Sequence, residues 1–298
     1  MTGTTHQLRR LALAAIASAL AVSLAAAPPS AAKKKSAKLR VATASEVALG
    51  AQDPVAAVAT CPKGTKVVSG GFATSTPALG SHWLNVHESQ RISARAWRVS
   101  GVEIYAGSDK LTAYAYCDAT TPKIKARSNT AVMPPIPGSG SVVQASCPEG
   151  TKALSGGFVS EPGTPTDLAM VSRSIRAGGT RWVVDATNVG AVPGGRNLTA
   201  QVYCAEVGKI TKLFEDAAVV GPQGSLFTAT TPKCPKKSTS RGGGFATSTP
   251  TGGLTNAAIV YESRRARFSR FGGATWSSSA SAASATTSIT LITDSYCR

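Results

Sequence analysis

The chain has 298 residues, with 32 Lys and Arg against 15 Asp and Glu, giving a formal charge of +17. An apolar fraction of 42 % beside 16 % charged residues excludes a wholly disordered chain, which would carry fewer apolar residues and more charge. The length suffices for two or three ordinary domains, and the basic balance bears on solubility, steering and polyanion attraction rather than on fold.

Residues 1–10 carry Arg9 and Arg10 and no acid, and Leu11 to Leu24 is an unbroken run of Leu, Ala, Ile, Val and Ser. A positive start followed by an apolar run of this length predicts a secretory signal peptide. A spanning helix would need roughly 20 apolar residues. Cleavage after Ser30-Ala31-Ala32 is preferred to cleavage after Ala25-Ala26-Ala27, which would leave Pro28 behind the cut, so residues 1–32 read as the signal. Arg9-Arg10 also opens a twin-arginine reading, but Leu8 and Leu11 flank the pair and general secretion is preferred. Lys33, Lys34, Lys35, Lys38 and Arg40 then form a basic tail, residues 33–40. No Cys lies in residues 1–60 and no sorting motif precedes the final Tyr296-Cys297-Arg298. The expectation is a secreted protein with no membrane span, held to a cell wall, if at all, by non-covalent contacts.

The rest of the chain repeats itself. Cys61-Pro62-Lys63-Gly64-Thr65 leads to Gly70-Gly71-Phe72, and Cys147-Pro148-Glu149-Gly150-Thr151 leads to Gly156-Gly157-Phe158. Cys234-Pro235-Lys236-Lys237 leads to Gly243-Gly244-Phe245, without the turn glycine. Each copy closes on a Tyr-Cys pair, Tyr116-Cys117, Tyr203-Cys204 and Tyr296-Cys297, and each holds a Trp: Trp97, Trp182 and Trp276. Self-similarity at a fixed period marks a repeat architecture, here three units of about 86 residues, at 41–121, 122–207 and 208–298.

Within each unit the pattern is that of strands. Leu111, Ala113, Ala115 and Cys117 alternate with Thr112, Tyr114 and Tyr116; Leu198, Ala200, Val202 and Cys204 do so with Thr199, Gln201 and Tyr203. Period two is the signature of a strand with one buried face. Thr65–Phe72, Ala94–Val102 and Arg181–Thr187 also read as strands, and no helical stripe follows residue 32. The fold expected is all-β, three tandem disulfide-stapled repeats, each a small antiparallel sheet or sandwich. The alternative is a single pseudo-threefold β-prism.

Six Cys in an exported chain read as disulfides. Repeat symmetry leaves two schemes. One pairs within units: Cys61–Cys117, Cys147–Cys204 and Cys234–Cys297. The other pairs across them: Cys117–Cys147, Cys204–Cys234 and Cys61–Cys297. The first is preferred, because a unit that duplicated was once self-sufficient. Each bridge should add about 4 kcal/mol in the chain-entropy model.

No catalytic motif is visible, and no metal or other cofactor is expected. No His stands near a Cys, and zinc sites usually need such spacing. His82 and His87 are five apart, on opposite faces of a strand. Glu88 and Glu262 match each other, with Val171 in the corresponding place of the second unit. Asp53, Glu103, Asp109 and Asp185 offer acids, and nothing in the pattern pairs them as glycoside hydrolysis requires. Asn197-Leu198-Thr199 fits a glycosylation sequon but lies in a strand.

The recurring polar feature is basic. The first unit carries Arg91, Arg95 and Arg98 around its Trp, and the second carries Arg173, Arg176 and Arg181. The third carries Arg264, Arg265, Arg267 and Arg270, interleaved with Phe268 and Phe271. Arg forks bind phosphate, sulfate and carboxylate bidentately. The expected partner is an anionic polymer: teichoic acid, an acidic glycan or extracellular nucleic acid.

The Cys-Pro-x-Gly-Thr…Gly-Gly-Phe…Tyr-Cys unit resembles repeats in uncharacterised secreted proteins of actinobacteria, over residues from about 40 to the end. It is also similar to vitelline-membrane outer-layer proteins, which have Cys-Pro-x-Gly turns, a following Gly-Phe and an Arg/Tyr-Cys strand in a three-fold β-prism of shorter units. That second resemblance implies binding to carbohydrate-rich coats. The expectation is a non-enzymatic polyanion-binding protein. The alternatives are a lectin or glycan-active enzyme, with Trp97, Trp182 and Trp276 as sugar platforms, and a structural coat component.

Overall fold

The computed structural model describes residues 39–47, 54–75, 84–104, 108–161, 168–188, 195–219, 225–248, 258–267, 274–282 and 289–298, with 216–219 and Arg267 by backbone alone. Residues 1–38, where the sequence predicts a signal and a basic tail, lie outside them, as do His82 and Asp53. The first repeat supplies β1 (Arg40–Val47), β2 (Pro54–Thr60), β3 (Lys66–Thr74), β4 (Leu84–Arg91), β5 (Ala96–Glu103) and β6 (Lys110–Asp118). The second supplies β7 (Lys125–Met133), β8 (Gly140–Ser146), β9 (Lys152–Ser160), β10 (Ala169–Ala177), β11 (Arg181–Asn188) and β12 (Arg196–Ala205). The third supplies β13 (Thr211–Val219), β14 (Leu226–Thr230), β15 (Ser240–Thr247), β16 (Ala258–Arg267), β17 (Ala274–Ala282) and β18 (Ile289–Cys297).

The chain is all-β, with three six-stranded antiparallel sheets ordered β1-β6-β3-β16-β17-β14, β2-β5-β4-β9-β12-β7 and β13-β18-β15-β10-β11-β8. Each repeat is divided: its first, sixth and third strands enter one sheet and its second, fifth and fourth enter the next. Every sheet is thus half of one repeat and half of another. The arrangement is that of the three-sheet prism, since no repeat holds a sheet of its own. The third repeat closes the ring onto the first through β16 and β3.

The core lies inside the ring of sheets. Alternation places Val55, Ala57 and Ala59 of β2 inward while their neighbours face water, as period two demands. Phe72, Phe158 and Phe245 meet edge to face, with ring centroids 6.0 to 6.3 Å apart. One ring from each repeat marks the pseudo-threefold axis, and such edge-to-face pairs add about 0.5–1.5 kcal/mol each beyond area burial.

The disulfides join Cys61 to Cys117, Cys147 to Cys204 and Cys234 to Cys297. Cys61 and Cys147 follow the last residues of β2 and β8, while Cys117 and Cys204 lie in β6 and β12 of the neighbouring sheet. Each of these bridges therefore ties together the two half-sheets of one repeat. The turn after Cys61 closes by a hydrogen bond from Thr65 N–H to the Pro62 carbonyl at 3.1 Å, with Gly64 at a φ of 81°. In the third repeat Lys237 takes that place at a φ of 69°.

Candidate functional site

The Gly-Gly-Phe motif builds the seams between repeats. At the second seam, β4 of the first repeat meets β9 of the second at Glu88 opposite Val159 and Ser89 opposite Phe158. A Cβ on Gly157 would stand 2.4 Å from the Ser89 carbonyl oxygen, and one on Gly156 would stand 2.2 Å from the Trp182 ring. So the first glycine admits the repeat's own Trp, and the second admits the neighbouring strand. Trp182 Nε1 donates to Ser174 Oγ at 3.0 Å. Trp97 and Trp276 make the same bond to Ser89 and Ser263. All three Trp are 1 % exposed, so none presents a face to a sugar.

The seam also explains one set of arginines. The Tyr203 hydroxyl accepts the backbone N–H of Arg91, Tyr296 accepts that of Arg176, and Tyr116 accepts that of Arg265, each at 2.7 Å. Arg176 further donates to the Gly179 carbonyl at 3.0 Å and lies over the Tyr296 ring. Arg265 donates to Thr239 Oγ1 at 2.8 Å. Burial pushes the Arg91 and Arg176 guanidinium groups below their ordinary pKa.

A second set sits mid-sheet in ion pairs. Arg98 pairs with Glu88 at 2.6 Å, Arg173 with Asp185 at 2.5 Å and Arg264 with Glu262 at 3.1 Å. Register corrects the sequence alignment here. Glu88, Arg173 and Glu262 each begin the two-residue pairing with the next repeat, so the second-repeat counterpart of Glu88 is Arg173, not Val171. The same bulge precedes this residue in every repeat, between Val86 and Glu88, Val171 and Arg173, and Val260 and Glu262, which confirms the correspondence. The second repeat thus swaps the signs of the pair.

Of the ten arginines singled out by sequence, Arg95 and Arg181 stand exposed at hairpins. Arg95 also donates from Nε and Nη2 to the Cys61 carbonyl at 3.0 and 2.7 Å. Only the backbone of Arg267 is described, and Arg270 lies outside the described residues.

Those hairpins belong to one end of the molecule, where all three disulfides lie. Cys61 N–H donates to the Arg95 carbonyl and Cys147 N–H to the Thr180 carbonyl, both at 2.7 Å. The first residues of β1, β7 and β13 are registered opposite Cys117, Cys204 and Cys297. The connections between repeats therefore cross this disulfide end, and they are basic. Lys123 and Lys125 are exposed on one, and Lys209 on the other. Lys63, Lys236 and Lys237 are exposed on the Cys-Pro turns. Lys66 and Lys152 reach the connecting carbonyls of Thr121 and Gly208 at 3.4 and 3.3 Å.

Acids at this end are few among the described residues. Asp118 is buried and taken up by Arg241, Thr120 and Thr121. Burial alone would raise its pKa, but the hydrogen bonds from Thr121 and Thr120 and the Arg241 charge hold it below the usual carboxylate range. Glu206 stands 3.9 Å from Lys125, and Glu149 is exposed. These lysines fall on turns and connections that look unrelated along the chain, so the sequence does not mark them as one group beside the Arg near each Trp.

Other candidate groups serve the fold. His87 is buried. Glu103 is fully buried, and Asp109 is buried near Ser75 Oγ at 3.4 Å. Asn197 donates through its backbone and side chain to Glu161. Two cavities of about 20 and about 10 Å³ border the Phe72, Phe158 and Phe245 cluster; the larger has room for about one water. Among the described residues no group of three or more His, Cys, Asp or Glu could hold a metal ion, and no helix is long and apolar enough to cross a membrane. No protein-family model matches the chain, and no curated protein matches it.

Proposed function

We propose that this is an exported, non-catalytic protein that binds anionic polymers of the cell envelope or extracellular space through the disulfide end of its prism. The observation that carries the reading is the gathering of Lys63, Lys123, Lys209, Lys236, Arg95 and Arg181 at one end, with Asp118 there already neutralised by Arg241. Like charges held close by a stapled scaffold raise the local potential, attract polyanions and speed their capture. The three disulfides support an oxidising, extracytoplasmic setting.

The mid-sheet arginines Arg98, Arg173 and Arg264 have a different part in this reading. Each already has a carboxylate partner, so each tunes its sheet rather than meeting ligand. The test is retention of the pure protein on purified cell walls, with and without teichoic acid, over a salt series. Retention that needs the anionic polymer and falls steeply with salt supports the proposal. Absence of retention at low salt overturns it.

A further inference from the structure

The second repeat opens with a neutral, apolar corner on a strongly basic chain. Charged residues make up 16 % of the sequence, yet residues 128–148 hold no Lys, Arg, His, Asp or Glu. They include most of β7, the connection at 134–139 and all of β8. Val132, Ile136 and Val142 are each 62 % exposed, the highest figure among the large apolar side chains described. The connection is held in shape. Buried Asn188 donates from Nδ2 to the Pro134 carbonyl at 3.1 Å, and its own carbonyl accepts Gly138 N–H at 2.7 Å. Ser139 N–H closes the turn on the Ile136 carbonyl at 3.0 Å. Asn129 Nδ2 donates to the Gln144 carbonyl of β8 at 3.0 Å. β7 is also the last strand of its sheet, paired with β12, and its outer edge pairs with no strand among the described residues. Edge strands commonly carry charges that discourage further pairing. The corresponding edges carry Glu46 in β1 and both Lys212 and Glu215 in β13. The cations of β7, Lys125 and Arg127, stand within its first three residues.

We infer that two copies of the chain pair antiparallel along the outer edge of β7, with Thr130 on the twofold axis. Charge selects a second copy as the occupant. In this register Ser128 faces Val132, Arg127 faces Met133 and Lys125 faces Pro135 of the other copy, so each cation meets an uncharged residue. The two copies of Arg127 stand about 20 Å apart along the pair, more than twice the Debye length of about 8 Å at physiological salt. A chain of formal charge +17 meets itself here without close like charges, and Val132 and Ile136 of each copy gain cover from the other. Antiparallel pairing also fixes the form of the dimer. β7 begins at the disulfide end, opposite Cys204, so reversing one copy sends the two disulfide ends to opposite poles. The consequence for function rests on the polyanion reading above: one dimer bridges two anionic chains, so the protein cross-links a polymer network rather than merely coating it.

The test is sedimentation equilibrium of the full-length secreted chain without polymer, from about 1 to about 200 µM, the range suited to so modest an interface. Thr130→Lys and Thr130→Glu each set like charges directly opposite across the axis, and the two variants mixed set opposite charges there. Thr130 is exposed, and circular dichroism and intact disulfides check that each variant folds. Wild type should dimerise in the micromolar range, more readily at higher salt. Each variant alone should associate about fivefold more weakly, and the equimolar mixture should regain dimers holding one copy of each. A wild type that stays monomeric over that range, or variants that associate as readily as wild type, would overturn the dimer and leave the polyanion reading intact. The bridge is read by mixing the proteins with teichoic-acid-bearing wall fragments. Wild type should clump the fragments, and T130K should be retained on them with little clumping. Equal clumping by the two would overturn the bridge. A wild type that dimerises but is not retained on the fragments would overturn the polyanion reading and the bridge together, and leave the dimer standing.

Discussion

The hydroxyl of Tyr203, in the second repeat, accepts the backbone N–H of Arg91, in the first, at 2.7 Å, and donates to Gln201 Oε1 at 2.6 Å. Its ring also meets the edge of Trp97 with centroids 5.6 Å apart. One residue of the Tyr-Cys motif thus seals the seam to the preceding repeat. The same contact recurs at Tyr296 with Arg176 and Trp182, and at Tyr116 with Arg265 and Trp276.

Removing that hydroxyl should weaken the seam without emptying the core. Tyr203→Phe leaves the Arg91 N–H without its acceptor, and an unmet buried donor costs about 1–3 kcal/mol. Urea unfolding at neutral pH should show a lower midpoint with an unchanged slope. An unchanged midpoint would mean that the bond contributes nothing net.

The seam glycines should tolerate no side chain. Gly157→Ala places a methyl group 2.4 Å from the Ser89 carbonyl oxygen, and backbone cannot swing aside as a flexible side chain can. The variant should lose several kcal/mol, as overpacking that moves backbone does, or fail to accumulate. Gly208→Ala is the control, since a Cβ there meets nothing within 4 Å. Similar expression and melting temperature for G157A and G208A would contradict the seam assignment.

Acid should loosen the fold through His87. Burial holds its pKa at about 4, against the opposing pull of Glu88 and with smaller contributions from Arg196 and Arg98. The unfolded chain, near 6.5, therefore takes up the proton first. Stability is full above about pH 6.5 and falls as pH drops toward 4, by up to about 1.4 kcal/mol per pH unit and about 3 kcal/mol in all. Denaturant midpoints between pH 7 and 4.5 should fall for the wild type and fall less for His87→Gln. An equal decline in both would place the acid sensitivity elsewhere.

Much of this architecture is legible along the chain. Period two in Leu111–Cys117 and Leu198–Cys204 marks strands that are paired on both sides, and the within-repeat disulfides follow from symmetry together with the self-sufficiency of a unit that duplicated. The division of each repeat between two sheets is not legible, because alternation fixes which face is buried and not which strand lies alongside. The meaning of Gly-Gly-Phe is likewise a tertiary fact. Gly157 is required by a carbonyl from another repeat, and nothing near it in the sequence says so. The missing turn glycine of the third repeat is visible in sequence, yet its outcome, Lys237 held at a positive φ, is not. The candidate site is legible only in part. The basic excess near each Trp is plain in sequence, but carboxylates on the neighbouring strand hold Arg98 and Arg173, Glu262 on its own strand holds Arg264, and the exposed lysines converge only once the sheets close.

In the proposed function, charge acts by place, at the disulfide end, and not by total. Lys123→Glu and Lys110→Glu change the net charge equally. Lys123 is exposed at the disulfide end, whereas Lys110 is exposed at the far end of β6, opposite Val47. Retention on teichoic-acid-bearing walls across a salt series should weaken for K123E, with a shallower salt dependence, and match wild type for K110E. Equal weakening by the two substitutions would contradict the account, since net charge alone would then explain binding.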